Sequence, residues 1–317
     1  MSVARSRGSA EQRGAIGRAR RIGSRGQALI LYALALVCVL GFVALAIDVG
    51  YAYGQRRQAQ NAADAAALAG ARALALGESV QDAVDNLAAH NGMQVKSIAV
   101  NGARVSVQTE RAFKTFFASA LDQKQWKVSA AATAAYGSPA GVNGLFPLAI
   151  KDREFVYGTE YTLFGDEPNP PGQFKLGPGN FGWLDFNGGS NGTPELADWI
   201  LNGYQGTISV VGGTTIEGDT GMKTAVKDEL EARKNRKDSE GNPIPVVLLI
   251  YDTATGHGAG FAYHCISFAA FELTEVNFHG DNKYIKGKFI ERYVVPALID
   301  PNSEPGENGV KAVGLAS

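Results

Sequence analysis

A run of twenty largely apolar residues, Ala28 to Ile47, constrains the fold of this 317-residue chain more than any other feature. At about 1.5 Å of rise per residue, a helix of this length covers roughly the 30 Å hydrocarbon thickness of a bilayer. The apolar region of a secretory signal is shorter, at about 7–15 residues. Asp48 and a helix-forming sequence follow directly, without an evident signal-peptidase site. The sequence therefore predicts a retained transmembrane anchor over residues 25–53.

The charges before the span predict its orientation. Residues 1–26 hold seven arginines and the single acid Glu11. Short basic arms remain in the cytoplasm, so we expect a cytoplasmic N-terminus, with residues 1–24 as a disordered arm and the bulk of the chain outside. A nucleic-acid-binding tail is the weaker interpretation, because the arm adjoins a span. The remaining chain holds 23 basic and 30 acidic residues, about −7 in net charge, which argues against nucleic acid or anionic lipid as a partner.

Three stretches together carry a resemblance to a known family. They are Arg25-Gly26-Gln27 followed by the apolar run, then Ala46-Ile47-Asp48-Val49-Gly50-Tyr51, and then the alanine-rich segment from Gln60 to Ala71. In this order they resemble the N-terminal module of TadE/TadG-like Flp (Tad) pilus assembly proteins. The resemblance implies a bacterial envelope protein of the cytoplasmic (inner) membrane. Such a protein assists or joins a thin adhesive pilus, and its partners are other pilus assembly proteins.

One position separates two branches of that family. Pilin-like members carry a glutamate five residues after the glycine behind which prepilin peptidase cuts. Here that glycine would be Gly26, the cut would fall before Gln27, and the fifth position is Leu31. This difference favours the larger, accessory TadG-like branch. We expect the protein to act as a scaffold whose distal domain presents a protein-binding or adhesive surface. A minor pilin incorporated into the filament remains the alternative.

Asp48 lies where the span is expected to emerge, beside Tyr51 and Tyr53. Two interpretations stay open. The favoured one is a carboxylate already among the lipid headgroups, and the other is an intramembrane charge that pairs with another subunit. Gly50 and Gly54 have the G-x-x-x-G spacing that allows two helices to approach closely, although this pattern is common.

Beyond the membrane, alanines recur at three-four spacing and predict a helix with a shallow apolar stripe. The stripe consists of Ala59, Ala62, Ala66, Ala69 and Ala73. Such a face packs closely against its own domain, which is the default, or against another subunit. Self-association through the N-terminal helix is therefore left open.

The predicted fold class is α+β, in two exported parts. Residues 54–136 are expected to form a pilin-like module of a long helix and an antiparallel sheet, with a hairpin at Asn101-Gly102 and a strand from Trp126 to Tyr136. Residues 137–144 are a predicted linker, 145–300 a glycine-rich α+β domain, and 301–317 a flexible tail. Within the second domain the patterns predict five strands and two helices. The strands are Leu145–Ile150, Thr207–Val211, Val246–Tyr251, Phe261–Phe271 and Tyr284–Val294, and the helices are Pro194–Asn202 and Met222–Arg236.

The strongest enzyme signal is Gly188-Gly189-Ser190-Asn191-Gly192, which satisfies the G-x-S-x-G pattern of a nucleophile elbow. The elbow requires a tight strand-to-helix turn, whereas here the helix signal Thr193-Pro194 comes after a loop of small residues. We therefore interpret the segment as a turn and expect no enzyme. A membrane-tethered serine hydrolase that uses Ser190 stays as a second alternative.

Other segments match the patterns of phosphate-binding and metal-binding sites less well, and no cofactor or metal is expected. The stretch Gly213 to Gly218 lacks the lysine of a phosphate loop, and the stretch Asp252 to Gly256 lacks the hydroxyls of a von Willebrand factor A metal site. Neighbours His264 and Cys265 would face opposite sides of a strand, so they cannot both bind one zinc ion. Cys265 is expected to be a buried hydrophobe, too far from Cys38 across the membrane to form a disulfide.

Overall fold

A computed structural model describes residues 24–122, 125–163, 182–188, 192–219, 224–256, 261–278, 283–300 and 309–316. The predicted arm therefore lies almost wholly outside the described residues. The chain divides into two units: one contains residues up to Tyr53 together with Phe113–Trp126, and the other contains Gly54–Ala112 and Lys127–Ser317. The class is α+β, with a long apolar helix at the N-terminus followed by a sheet-rich part, as the sequence predicted.

The first helix, α1, runs without a break from Ser24 to Leu76. No side chain between Ala28 and Ile47 is buried, and within the described residues α1 is the one helix long and apolar enough to cross a membrane. An apolar helix with an exposed surface of this length is stable in lipid, where its backbone bonds are all internal. Unit one adds the segment Phe113–Trp126, which contains a 3₁₀ helix at Ala118–Leu121.

The second unit begins with the rest of α1 and helix α2 (Val80–His90), whose Ser79 hydroxyl accepts a bond from the Asp82 amide as the N-cap. Three strands follow: β1 (Gln94–Asn101), β2 (Arg104–Lys114) and β3 (Gln125–Gly137). Strands β1 and β2 are antiparallel, as predicted, but the turn is not where the sequence placed it. Asn101 pairs with Arg104, so Gly102 and Ala103 form the turn. Of these two turn residues, Gly102 has a positive φ and Ala103 does not. This combination is typical of a type II′ turn, which favours glycine at the first position.

The remaining elements are short strands, two helices and one long hairpin. They are β4 (Gly141–Val142), β5 (Ala149–Lys151), β6 (Glu160–Thr162), β7 (Leu184–Asp185), α3 (Thr193–Asn202), β8 (Ile208–Ser209), β9 (Thr214–Gly218), α4 (Lys227–Lys234), β10 (Val246–Thr255), β11 (Ala262–Asn277), β12 (Tyr284–Ile290), β13 (Tyr293–Val295) and β14 (Val310–Leu315). Every strand or helix predicted between residues 145 and 300 has a counterpart among them. The counterparts differ in length, since β11 extends six residues past Phe271.

Strand β11 lies at the centre of the larger sheet, where it pairs with β10, β12 and β9. The strand order is β5-β10-β11-β12-β6, and β7 pairs with β9. Successive residues of β10 face opposite sides, so Leu248 and Ile250 enter one core and Leu249 enters another. Helices α3 and α4 cover the first of these cores with Leu196, Ile200 and Leu230. A central strand pair buried on both faces explains the nearly continuous apolar sequence of β10.

The smaller sheet has the order β1-β2-β3-β14-β13, so it ends with strands from the C-terminal part of the chain. Strand β14 is antiparallel to β3 and parallel to β13. Val310 and Ala312 are buried, and the Lys311 ammonium donates to the Ala75 carbonyl oxygen at 3.1 Å. The predicted flexible tail is therefore wrong over residues 310–315. The domain boundary at 137–144 stays a prediction.

Candidate functional site

The site that the structure builds in unit one lies where α1 leaves its apolar stretch. Asp48 is 3% exposed, and its carboxylate accepts hydrogen bonds from three successive backbone amides. The distances are 2.9 Å from Phe116 N, 3.0 Å from Phe117 N and 2.6 Å from Ala118 N. These amides belong to the N-terminal end of the 3₁₀ helix, where backbone N–H groups lack intrahelical partners. Asp48 therefore supplies a cap from a distance of about seventy residues in sequence.

Aromatic side chains pack beside this cap. Tyr51 contacts Phe113 and Phe116 edge to face, with ring centroids 5.5 and 5.1 Å apart. Phe113 also meets Trp126 edge to face, at 6.3 Å. Such geometries are favourable for aromatic quadrupoles, at about 0.5–1.5 kcal/mol for a pair beyond the area that is buried. The polar cap and the ring cluster together hold the segment Phe113–Trp126 against α1.

This arrangement adds a partner that neither sequence interpretation of Asp48 included. The carboxylate is satisfied by amides of its own chain and is not left unpaired for another subunit, while its location among the lipid headgroups stays a prediction. Sequence reasoning missed the partner for a physical reason: backbone amides carry no residue-type signal. The one available clue is that the sequence around Lys114–Leu121 predicts a short helical segment after β2.

The predicted glycine pair is open. A Cβ placed on Gly50 or Gly54 would meet no atom within 4 Å, so neither glycine serves close packing inside the described chain. Gly26 lies in the first turn of α1 and is exposed, and its Cβ would also meet nothing. The side chain of Gln27 lies outside the described residues. Helix association at the pair and cleavage behind Gly26 both stay predictions.

In unit two, most of the predicted alanine stripe is buried in its own domain. Ala59 and Ala62 pack with Met93, while Ala66 packs with Val105 and Val107. Ala73 is also buried, and Ala69 is half-buried. The buried surface is wider than one stripe, since Ala63, Ala67, Ala71 and Ala75 are at or near zero exposure.

Among the glycines of α1, Gly70, which the stripe did not include, is the one that neighbouring side chains approach closely. A Cβ there would lie 2.7 Å from Val84 Cγ2 and 2.9 Å from Val105 Cγ1. Glycine allows α2 and the sheet to reach the helix backbone at the same level. The alanine face of α1 therefore packs inside its own unit at this level, and self-association through the helix stays a prediction.

The candidate enzyme and metal residues do not assemble into a site within the described chain. Ser190, His257 and His279 lie outside the described residues. His264 Nδ1 donates to Asp252 Oδ1 at 2.8 Å, and this bond lowers the pKa of the Asp252 carboxyl. Cys265 is on the opposite face and fully buried, and burial raises the pKa of its thiol to about 12. No group of three or more possible metal ligands occurs among the residues that the structure describes.

A comparison with protein families gives a match in the N-terminal part of the chain. Residues 26–73 match a family model described as putative Flp pilus-assembly TadE/G-like. The match confirms the resemblance drawn from the sequence, and it covers α1 from Gly26 to Ala73, including Asp48. It spans 48 of the 317 residues and leaves the larger sheet outside. Neither the curated proteins nor the solved structures include a significant match.

Proposed function

We propose that this protein is a membrane-anchored accessory scaffold of Flp (Tad) pilus assembly, without enzymatic activity. The observation that carries the proposal is the position of the family match. It begins at the start of the apolar helix and ends in the buried alanine segment, so it covers the anchor and its soluble continuation together. A span that continues directly into a packed helix suits an assembly component, because it connects the membrane anchor rigidly to a folded domain.

The proposed topology places the N-terminus in the cytoplasm and the sheets outside the cytoplasmic membrane. The seven arginines before the span support this orientation. We propose further that α1 from Gly54 onward, with the smaller sheet, forms a pilin-like module. Its helix packs against the strands through small residues, and β14 extends the sheet beside β3.

The scaffold mechanism assigns different tasks to the parts of the molecule. The apolar stretch of α1 has no buried side chain, so its whole circumference is available to lipid and to the membrane parts of assembly partners. The open pair Gly50 and Gly54 offers a place where a second helix, including a second copy of α1, approaches closely. The glycine-rich part would present a protein-binding or adhesive surface.

A complementation experiment tests this role. Deletion of the gene in its host should abolish surface pili, and the wild-type chain should restore them. A chain in which residues 28–47 are replaced by an unrelated apolar span of equal length should reach the membrane but restore pili poorly. The Ser190→Ala variant should restore them fully. Normal piliation in the deletion strain would overturn the proposal, while selective failure of Ser190→Ala would favour the hydrolase.

A further inference from the structure

We propose that the loop Lys114–Ser119, here called the interfacial loop, inserts its two adjacent phenylalanines into the lipid interface beside α1. The partner is the acyl and headgroup boundary of the bilayer. This second membrane contact is independent of any role in pilus assembly, and it depends only on α1 being embedded in lipid. The loop and the residues of α1 that it contacts all belong to unit one.

The depth of the loop follows from the helix and from Asp48. Ala28 to Ile47 extends over about 30 Å, the thickness of the hydrocarbon layer. Asp48 is the next residue, so its carboxylate marks the outer boundary of that layer. The amides of Phe116 and Phe117 bond to this carboxylate at 2.9 and 3.0 Å, which holds the loop backbone at the same level.

The exposure of the rings indicates what surrounds them. Phe116 is 60% exposed and Phe117 is 48% exposed, although the backbone of both residues is fixed by hydrogen bonds. Phe116 contacts Tyr51 edge to face, and more than half of its surface stays exposed. Two adjacent exposed phenylalanines in an ordered loop are unfavourable in water. At the membrane boundary they are favourable, because aromatic side chains concentrate there.

Lipid is favoured over a protein partner because the exposed rings lie next to the apolar surface of the α1 span, which is itself expected to be in lipid. The apolar side chains of α1 are exposed up to Ile47 and Val49, one residue on each side of the capping aspartate. The cap also removes the main obstacle to this location, since a carboxylate near hydrocarbon is costly unless hydrogen bonds satisfy it. Tyr53, at 71% exposure, adds another aromatic group one turn further along α1.

The insertion gives the anchor a second point of contact beside the helix axis. A single helix in a bilayer is free to rotate about its axis and to change its tilt. A loop bonded to one side of α1 that is embedded in the interface opposes both motions. The face of α1 that carries Gly50 would then keep a constant direction relative to the membrane.

Depth measurement by fluorescence tests the proposal on the full chain in phosphatidylcholine nanodiscs. In a Cys38→Ala, Cys265→Ala background, an NBD label would be placed on Phe117→Cys. References would be Val37→Cys in the middle of the span and Asn101→Cys at the exposed end of β1. We expect the Phe117→Cys label to be quenched by lipids spin-labelled near the headgroup several-fold more than by aqueous iodide. Asn101→Cys should show the reverse.

The capping aspartate supplies a matched variant. With Asp48→Ala added, the label at Phe117→Cys should lose at least half of its lipid quenching and become accessible to iodide, while the label at Val37→Cys stays unchanged. A second label at Ser119→Cys, which keeps both phenylalanines, guards against an effect of replacing Phe117. If both loop labels match Asn101→Cys with Asp48 intact, the proposal is overturned. Pilus assays do not enter this result, so its failure would leave the proposed function standing.

Discussion

Asp48 holds the segment Phe116–Ala118 against α1, at the point where the apolar stretch of the helix ends. Its carboxylate satisfies three amides that have no other helical partner. Replacing it by alanine should leave these N–H groups without an acceptor, and a buried donor without a partner is costly. We expect Asp48→Ala to speed amide hydrogen exchange at Phe116–Ala118 by about tenfold or more, while Asp48→Asn, which retains one acceptor oxygen, has a smaller effect.

The control for this prediction is Asp85→Ala on α2, where the aspartate accepts a bond from the exposed Gln81 side chain. Exchange at Phe116–Ala118 should not change in that variant. Equal protection of these amides in the wild-type protein and in Asp48→Ala would contradict the capping role.

Gly70 is a second residue whose identity the packing determines. A methyl group at this position would collide with Val84 and Val105, both of them buried. Replacing glycine by alanine in a helix ordinarily stabilises it by about 1 kcal/mol, but overpacking a core costs about 1–3 kcal/mol. We expect Gly70→Ala to destabilise the soluble part by about 1 kcal/mol in urea unfolding.

Gly54→Ala is the matched substitution on the same helix, because nothing lies within 4 Å of that position. It should be neutral or stabilising in the same measurement. A stabilised Gly70→Ala would show that α2 and β2 adjust more easily than the contact distances indicate.

The reactivity of Cys265 follows from its burial. A thiol pKa raised to about 12 leaves roughly one molecule in 10⁴ as thiolate at pH 8. We expect iodoacetamide to leave Cys265 unmodified in the native protein for hours and to modify it rapidly in urea, as read by mass spectrometry of the peptide. The Cys38→Ala variant isolates the signal. Fast native modification would mean that the strand pair β10 and β11 opens readily.

At the scale of elements, the C-terminal strand β14 is the clearest case of structure without a local sequence signal. It joins β3, which is distant in sequence, and β13 in one sheet. We expect Ala312→Asp to destabilise the fold by about 2–4 kcal/mol, because it places an unpaired charge at a fully buried position.

Leu315→Asp, at the exposed end of the same strand, should change the stability by less than about 0.5 kcal/mol. Both variants would be compared by urea unfolding of the full chain in detergent. Equal stability of Ala312→Asp and the wild-type protein would show that β14 is not part of the folded sheet.

Elements with a strong local pattern were predictable, and those that depend on distant partners were not. The apolar run, the helix at α3 and the buried strands β10 and β11 each carry a periodicity or composition of their own. The β1–β2 turn was shifted by one residue, because Gly102 rather than Asn101 occupies the first turn position. Strand β14 and the Asp48 cap involve partners far along the chain, which no local pattern records.

The same division applies to the candidate site. The apolar run predicted that Asp48 lies at the end of the span, but nothing in the sequence predicted its partners, the backbone amides of Phe116–Ala118. Conversely, the alanine stripe could be predicted from the sequence, but its width was underestimated. Ala67 and Ala71 also pack in the cluster that contains Val84 of α2 and Val105 of β2, and a Cβ on Gly70 would meet the same two valines. Small residues on two faces of a helix therefore indicate that two different elements pack against it, here α2 and the smaller sheet.

The whole molecule combines three features: an apolar helix that can cross a membrane, its unbroken continuation into a packed domain, and a pilus-assembly family match over both. We propose on this basis that the chain stays in the membrane as a scaffold. The departure at Leu31 from the pilin-like pattern is the sequence feature that separates this claim from the minor-pilin alternative.

The most direct test is the N-terminal sequence of the mature protein, determined from its own host after separation of membranes from sheared filaments. We predict an uncut segment across Gly26 and Gln27, and protein in the cytoplasmic membrane fraction only. A new N-terminus at Gln27 together with protein in the sheared filaments would contradict the scaffold and establish a minor pilin in its place.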